Sequence, residues 1–210
     1  MTSHRGASPP ESPPAAEALA ALIRTRRAVR RFTPGDIPEA HVREVLEAGR
    51  WAPSPANRQP ARFIWVRDRA LKAELQALAH ESKKLSAYWD PIFDPDGPSG
   101  FVNDLLTPEV IAVVSDPAKS LTNVHYDNGF EWAAAMSIYA MWLRAHSLGY
   151  GAIFVQHWIV EKAKRILNVP LRWTFLGTFT FGHAAESPAQ DRLPFDEVVY
   201  RDRYPGPPHP

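Results

Sequence analysis

Arg24-Thr25-Arg26-Arg27-Ala28-Val29-Arg30-Arg31-Phe32, closed by the turn Thr33-Pro34-Gly35-Asp36, sets five arginines within eight residues. Leu19, Leu22 and Ile23 recur at helical spacing just upstream, which predicts a helix over 16–26 that hands over to an extended segment. Guanidinium groups are planar, permanently charged and able to donate in pairs, so their density at an element end suits a phosphate. A solvated basic face fits the same residues. A nucleic-acid surface fits less well. Lys plus Arg is 24 and Asp plus Glu 23, a net charge of +1, and no further basic patches interleaved with aromatics accompany the cluster.

Moving outward, a second helix is expected over 38–50, with proline at its start and Val42, Val45 and Leu46 on one face. A polar loop follows, Trp51-Ala52-Pro53-Ser54-Pro55-Ala56-Asn57-Arg58-Gln59-Pro60, stiffened by three prolines and offering Ser54, Asn57 and Gln59 as neutral donors and acceptors. It is either an ordinary connection or a ligand loop. Strands are expected at 62–67, 110–115, 152–156 and 174–183, and helices at 69–80, 128–147 and 160–167. The 128–147 helix is apolar over most of its circumference and should be central, with Phe130 and Trp132 read either as core or as lining a substrate pocket. Residues 88–106, rich in Pro, Gly and Asp, read as a long excursion, with Tyr88, Trp89, Phe93 and Phe101 as candidate pocket aromatics. An exit segment over 195–203 ends the folded part.

The remaining composition bounds the class. The chain has 210 residues, 45% apolar and 22% charged, as expected of one domain with a real core. Of its 21 prolines, Pro9, Pro10, Pro13 and Pro14 lie near one end and Pro205, Pro207, Pro208 and Pro210 at the other. Residues 1–15 and 205–210 therefore read as disordered tails around a domain over 16–204. Cysteine is absent, which excludes disulfides, thiol nucleophiles and Cys-ligated metals. His125-Tyr126-Asp127 is too sparse to argue a metal site, and none is expected. No apolar leader and no stretch of roughly 20 apolar residues is present, so the cytoplasm is the expected compartment. G-x-G-x-x-G, the P-loop, H-E-x-x-H and G-x-S-x-G are all missing.

In order and spacing, Arg26-Arg27-Ala28-Val29-Arg30-Arg31-Phe32 and Ala52-Pro53-Ser54-Pro55-Ala56-Asn57-Arg58-Gln59-Pro60 resemble the R-R-x-x-R-x-F and A-P-S-x-x-N-x-Q-P motifs of the nitroreductase-like FMN enzymes. Ala145-His146-Ser147-Leu148-Gly149-Tyr150-Gly151 is similar to that family's A-x-x-L-G-x-G helix exit. Arg192-Leu193-Pro194 through Val198 is similar to its closing R-x-P-x-x-x-V. The resemblance implies an α+β fold, a mixed sheet flanked by helices, in an intertwined homodimer with two FMN sites at the interface. It implies that Arg26, Arg27 and Arg30 grip the FMN phosphate with the main chain at Ala28, and that Arg192 completes the grip. Ser54, Asn57 and Gln59 would approach the ribityl chain or ring, and Gln156 and His157 would lie near flavin N5. Three positions depart from the pattern: Ala28 where serine is frequent, Ala61 where an aromatic is, and Gln190 where a basic residue is.

The implied activity is that of an oxidoreductase: NADH or NADPH gives hydride to flavin N5, leaves, and is replaced by a flat electron-poor acceptor such as a nitroaromatic, quinone or enone, in a ping-pong cycle. FMN carries the chemistry and the protein supplies binding and electrostatics. Two alternatives stand beside it. One is a same-fold flavin enzyme with other chemistry: dimethylbenzimidazole synthase-like flavin destruction, dehalogenation or dehydrogenation. The other is a non-enzymatic phosphate or nucleic-acid binding module built on the arginines.

Overall fold

The computed structural model describes residues 13–88, 90, 104–120 and 128–205. Most of the expected excursion, with Trp89, Phe93 and Phe101, lies outside them. So do His125-Tyr126-Asp127 and the tails apart from residues 13–15 and 205. In chain order the elements are α1 (Pro14–Thr25), β1 (Phe32–Thr33), α2 (Glu39–Arg50), β2 (Ala61–Val66), α3 (Arg69–Ala87), β3 (Glu109–Ser115), α4 (Gly129–Ser147), β4 (Gly151–Val155), α5 (Val160–Ile166), β5 (Thr174–Ala184) and α6 (Phe195–Val198).

The sheet runs β1-β5-β3-β2, with β4 also paired to β5, and these ladders are antiparallel. A parallel contact enters through Ala28, which bridges Ala152 while the Val29 N–H donates to the Ala152 carbonyl at 2.9 Å. The arginine segment is thus stitched onto β4. Val110 to Val114 of β3 are buried on both faces because β3 is central. Val110, Ala112 and Val114 face a core with Leu75 and Leu78 of α3, Ala163 of α5 and Trp158. Ile111 and Val113 face a second core with Val42 and Val45 of α2, Ile138 and Met141 of α4, and Phe179 and Phe181. The result is helices α3 and α5, the sheet, then helices α2 and α4.

α2 and α4 meet closely at Gly49, where an added Cβ would fall 2.8 Å from Met141 Cγ. α3 runs seven residues past its expected end. Ser82 and Lys83 look like a solvated terminus in sequence, yet both are buried. α4 is central, but not all round. Trp132 is not in the core: it is 62% exposed and lines a cavity, as its other reading has it, and Met136 and Tyr139 share that outward stripe. The chain after β5 is exposed almost throughout, and Leu193, Phe195 and Tyr204 are largely in solvent.

Candidate functional site

α1 ends at Thr25 because Arg26 takes an extended conformation, φ −57° and ψ 133°, and the arginines then run along the outside of β4. The Arg26 guanidinium lies 4.4 Å above the Trp142 ring of α4, a cation–π arrangement. Its Nε is buried without a hydrogen-bond partner. Burial lowers the Arg26 pKa; Tyr139 opposes this, and the Arg192 and Arg27 charges add to it. Arg192, distant in sequence, is therefore electrostatically coupled to Arg26. Arg27 turns back, donating to the carbonyls of Arg24 at 2.7 Å and Arg26 at 2.9 Å. The Arg30 guanidinium donates to the Ala28 carbonyl at 3.3 Å. Among the described residues none of Arg26, Arg27 and Arg192 has a carboxylate in ion-pair range.

The loop after α2 is held in an unusual shape. Ala56, Asn57 and Gln59 all have left-handed φ, at 48°, 53° and 49°. Asparagine tolerates that region, whereas an L-residue in general is disfavoured there by roughly 1–2 kcal/mol. The conformation is fastened from several sides. Ser54 Oγ accepts the Gln59 N–H at 2.9 Å, Gln59 Nε2 donates to Asn57 O and Oδ1 at 3.3 and 3.2 Å, and Arg58 donates to the Ser120 carbonyl at 2.8 Å. Ser54, Asn57 and Gln59 therefore form one rigid polar cluster. Strain of this kind, over-determined by its surroundings, is characteristic of functional loops.

Gln156 and His157 follow the end of β4, where the Val155 carbonyl lies against Gly177 of the paired strand β5. Gly177 has φ 141°, and a Cβ there would lie 2.0 Å from the Val155 carbonyl oxygen. Only glycine lets the end of β4 come this close, and the register shift in the β3–β5 ladder falls beside it, at Val113/Val114. Gln156 and His157 then line a cavity of about 750 Å³ with Trp132, Tyr139 and Trp142 of α4. A separate cavity of about 490 Å³ is lined by Ser54, Gln59, Ala61 and, from the same helix, Ala133 and Ser137. The residues expected of the site thus line two separate cavities, on different flanks of α4. Arg26, through Trp142, belongs with the Gln156–His157 half; Ser54 and Gln59 belong with the other.

A family model of the nitroreductase family matches residues 23–183. The chain belongs to the nitroreductase family. This nitroreductase-family chain is 30% identical over 174 residues to the 5,6-dimethylbenzimidazole synthase of Rhodobacter capsulatus, covering 79% of the chain and 83% of that protein. It is 27% identical over 201 residues to an NADH dehydrogenase of Thermus thermophilus, covering 89% and 96%. Among solved structures, a protein from Desulfovibrio desulfuricans in complex with FMN aligns with TM-score 0.68 and 27% identity, over 93% of this chain and all of that one. The fold also matches that of the NADPH:FMN oxidoreductase of Vibrio harveyi, with TM-score 0.70, 20% identity, and 89% and 77% of the two chains. The mixed α+β nitroreductase fold expected from the motifs is the one found.

Three residues near the arginine segment of this nitroreductase-family chain escape sequence reasoning. Lys83 is buried at the end of α3, where burial first and the Arg30 charge second lower its pKa to about 7. Glu186, just after β5, accepts the backbone N–H groups of Arg30 at 2.6 Å and Arg31 at 3.2 Å. His146 lies 2.8 Å from Thr25 Oγ1 through its Nε2. Glu186 and His146 lie more than a hundred residues from the segment they serve, and no local pattern announces such pairings. No helix among the described residues is long and apolar enough to cross a membrane.

Proposed function

We propose that this nitroreductase-family protein is an FMN-dependent oxidoreductase that takes reducing equivalents from NADH or NADPH and delivers them to a flat, electron-poor acceptor. The observation that carries the reading is the set of cations Arg26, Arg27 and Arg192 that, among the described residues, have no carboxylate in ion-pair range, with Arg26 stacked on Trp142 of the aromatic cavity that Gln156 and His157 line. Such a cluster is poised for a phosphate dianion. The buried, unsatisfied Nε of Arg26 fits the same ligand, since a buried donor gains most from a charged acceptor. Arg30 and the main chain at Ala28 complete the phosphate side, and Ser54, Asn57 and Gln59 offer amide and hydroxyl groups to a polyhydroxylated chain and heteroaromatic ring. When bound, FMN supplies the two-electron redox chemistry; the protein orients it, excludes water from one face and stabilises negative charge.

A homodimer follows from the same reading. The loop cluster and the arginine half lie on different flanks of α4, so a second copy is needed to bring both halves onto one ligand. Trp132, Met136 and Tyr139 on α4, and Phe195, Val198 and Tyr204 on the exit segment, give that copy apolar surface to cover. Ala61 lines the loop-side cavity where the pattern favours an aromatic, leaving room for a bulky acceptor.

The purified protein should be yellow and release FMN on denaturation, as read by its absorption spectrum and by chromatography of the chromophore. A colourless protein that also fails to bind added FMN overturns the reading and leaves the arginines as a binding surface of another kind. The likeness to dimethylbenzimidazole synthase favours one second reading, in which the enzyme consumes its flavin. Sustained NAD(P)H turnover with a quinone, the flavin unchanged, excludes it. Loss of the flavin absorbance under air replaces the first reading with the second.

A further inference from the structure

Behind the arginine segment lies a cavity of about 570 Å³ lined by Thr25, Arg27, Trp142, His146, Tyr150 and Glu186, among others. Its titratable imidazole plays no part in the reading above. Thr25 Oγ1 spends its one hydrogen on the Ala21 carbonyl at 2.8 Å, so at the 2.8 Å contact with His146 the ring nitrogen is the donor. His146 therefore carries its hydrogen on Nε2, and a second proton would go to Nδ1. The imidazole is clamped at a fixed place behind Arg26 and Arg27, joined to them through Thr25, the residue just before Arg26.

We propose that His146 is a further residue of the phosphate site and takes up a proton when a phosphate dianion binds Arg26 and Arg27. This rests on the FMN reading. The groups around it set the sign. Arg24 stands beside Thr25 on α1, Arg26 and Arg27 on the extended segment, Tyr150 before β4 and Glu186 after β5. Arg144, on the same helix, is paired with Glu44. Burial first, then the Arg26 and Arg27 charges, lower the His146 pKa. A dianion on those arginines cancels the repulsion and adds attraction, so His146 binds its proton more tightly in the complex than in the free protein. By linkage, the affinity for a phosphorylated flavin gains a component that grows as pH falls through the histidine range.

The test compares FMN with riboflavin, which lacks the phosphate, on the intact protein and on His146→Gln, whose amide keeps a donor toward Thr25 but cannot titrate. Dissociation constants are read from quenching of flavin fluorescence between pH 5.5 and 8. The ratio of variant to wild-type FMN dissociation constants should rise several-fold from pH 8 to 5.5, toward the roughly tenfold limit that one pKa unit sets. The ratio for riboflavin should stay flat. The phosphate's own ionisation acts equally in both proteins and cancels. A flat ratio for FMN, or the same slope for riboflavin, overturns the proposal and leaves the flavin reading standing. Failure of the wild type to bind either flavin overturns both. Should His146→Gln not fold, calorimetry on the wild type at pH 7 in two buffers of different ionisation enthalpy decides. Net proton uptake with FMN and none with riboflavin supports the proposal, because the phosphate can only release protons on binding as a dianion. Where the phosphate's own release masks the uptake, the His146 imidazole titration followed by NMR decides: a midpoint that does not rise on FMN binding overturns the proposal.

Discussion

Two groups of arginines sit on this molecule under opposite conditions. Around α2 each has an acidic partner: Arg43 lies 2.7 Å from Glu39, Arg67 shares that carboxylate at 3.3 Å, and Arg50 pairs with Glu47. These are exposed contacts, two of them at helical i,i+4 and i,i+3 spacing. Pairs of this kind contribute about 0–1 kcal/mol and fade with salt. On the segment after α1, Arg26 and Arg27 have ring and carbonyl partners, and burial first, then the Arg192 and Arg27 charges, lower the Arg26 pKa. On the proposed reading, the difference separates arginines that keep a surface solvated from arginines whose charge is held ready for a ligand. Composition cannot distinguish them, since both groups enter the same near-zero net charge.

The largest expected effect breaks that comparison directly. Replacing Arg26 and Arg192 together, as Arg26→Met/Arg192→Met, should weaken FMN binding by roughly a hundredfold to ten-thousandfold, since a hydrogen bond to a charged group is worth about 1.5–3 kcal/mol. Riboflavin binding should change far less. Arg43→Met and Arg67→Met should leave the FMN dissociation constant within about threefold of wild type, as exposed pairs contribute so little. Fluorescence titration of all three proteins checks this. Equal losses in the two groups would mean that the segment after α1 is as generic a surface as α2.

How far the site can be read from sequence follows from the range of the interactions. β3 is legible because an unbroken run from Val110 to Val114 has no place except a sheet centre, and α4 because its apolar residues exceed one face. The motifs around Arg26 and Ser54 are legible because their spacing is local. Trp132 misleads for a physical reason. A helix apolar all round tells nothing of which side lacks a neighbour in its own chain, and α4 leaves its Trp132–Tyr139 stripe uncovered. α3 is cut short in the reading because Lys83 and Lys84 look like a solvated end, although Lys83 is buried within the helix. Gly177 is an ordinary strand glycine until the Val155 carbonyl of the neighbouring β4 is seen against it. Ala56 and Gln59 give no sign of a left-handed loop, because only asparagine and glycine habitually mark one.

A middle-sized effect sharpens the comparison by asking what holds the ready arginines in place. Glu186 is a carboxylate in the midst of the cations, yet its acceptors go to the main chain: one oxygen takes both the Arg30 and Arg31 N–H groups, and the other lies 4.0 Å from Arg31 Nε. It fastens the segment rather than neutralising Arg26 or Arg27. Glu186→Ala removes a charged acceptor from two backbone donors and should cost about 1–3 kcal/mol of stability. A domain of this size should then melt roughly 2–4 °C lower for each kcal/mol lost. FMN affinity should fall with it, because the guanidinium groups lose their fixed backbone. An affinity that rises instead would show Glu186 to be a competitor for the phosphate.

The smallest effect is expected on the paired side, and it tests whether those arginines do anything beyond pairing. Hydrogen bonds from Arg50, and then from the Trp51 indole at 2.7 Å, lower the Glu47 carboxyl to about 2. The sign is that of a carboxylate stabilised in its charged form. The contribution is present above the unfolded-state value near 4.5 and lost as pH falls toward 2. Both side chains lie in solvent, so neutral-pH stability should hardly register the pair. Arg50→Ala should return the Glu47 titration, followed by NMR, most of the way to the ordinary carboxylate range, with the Trp51 bond keeping a residual depression. The melting temperature at pH 7 and the FMN dissociation constant should both stay unchanged within error. A loss of FMN affinity in Arg50→Ala would place Arg50, which lines the loop-side cavity beside Ser54 and Gln59, among the ligand-holding arginines after all. The boundary between the two groups would then run along the cavities on α4 rather than between paired and unpaired charges.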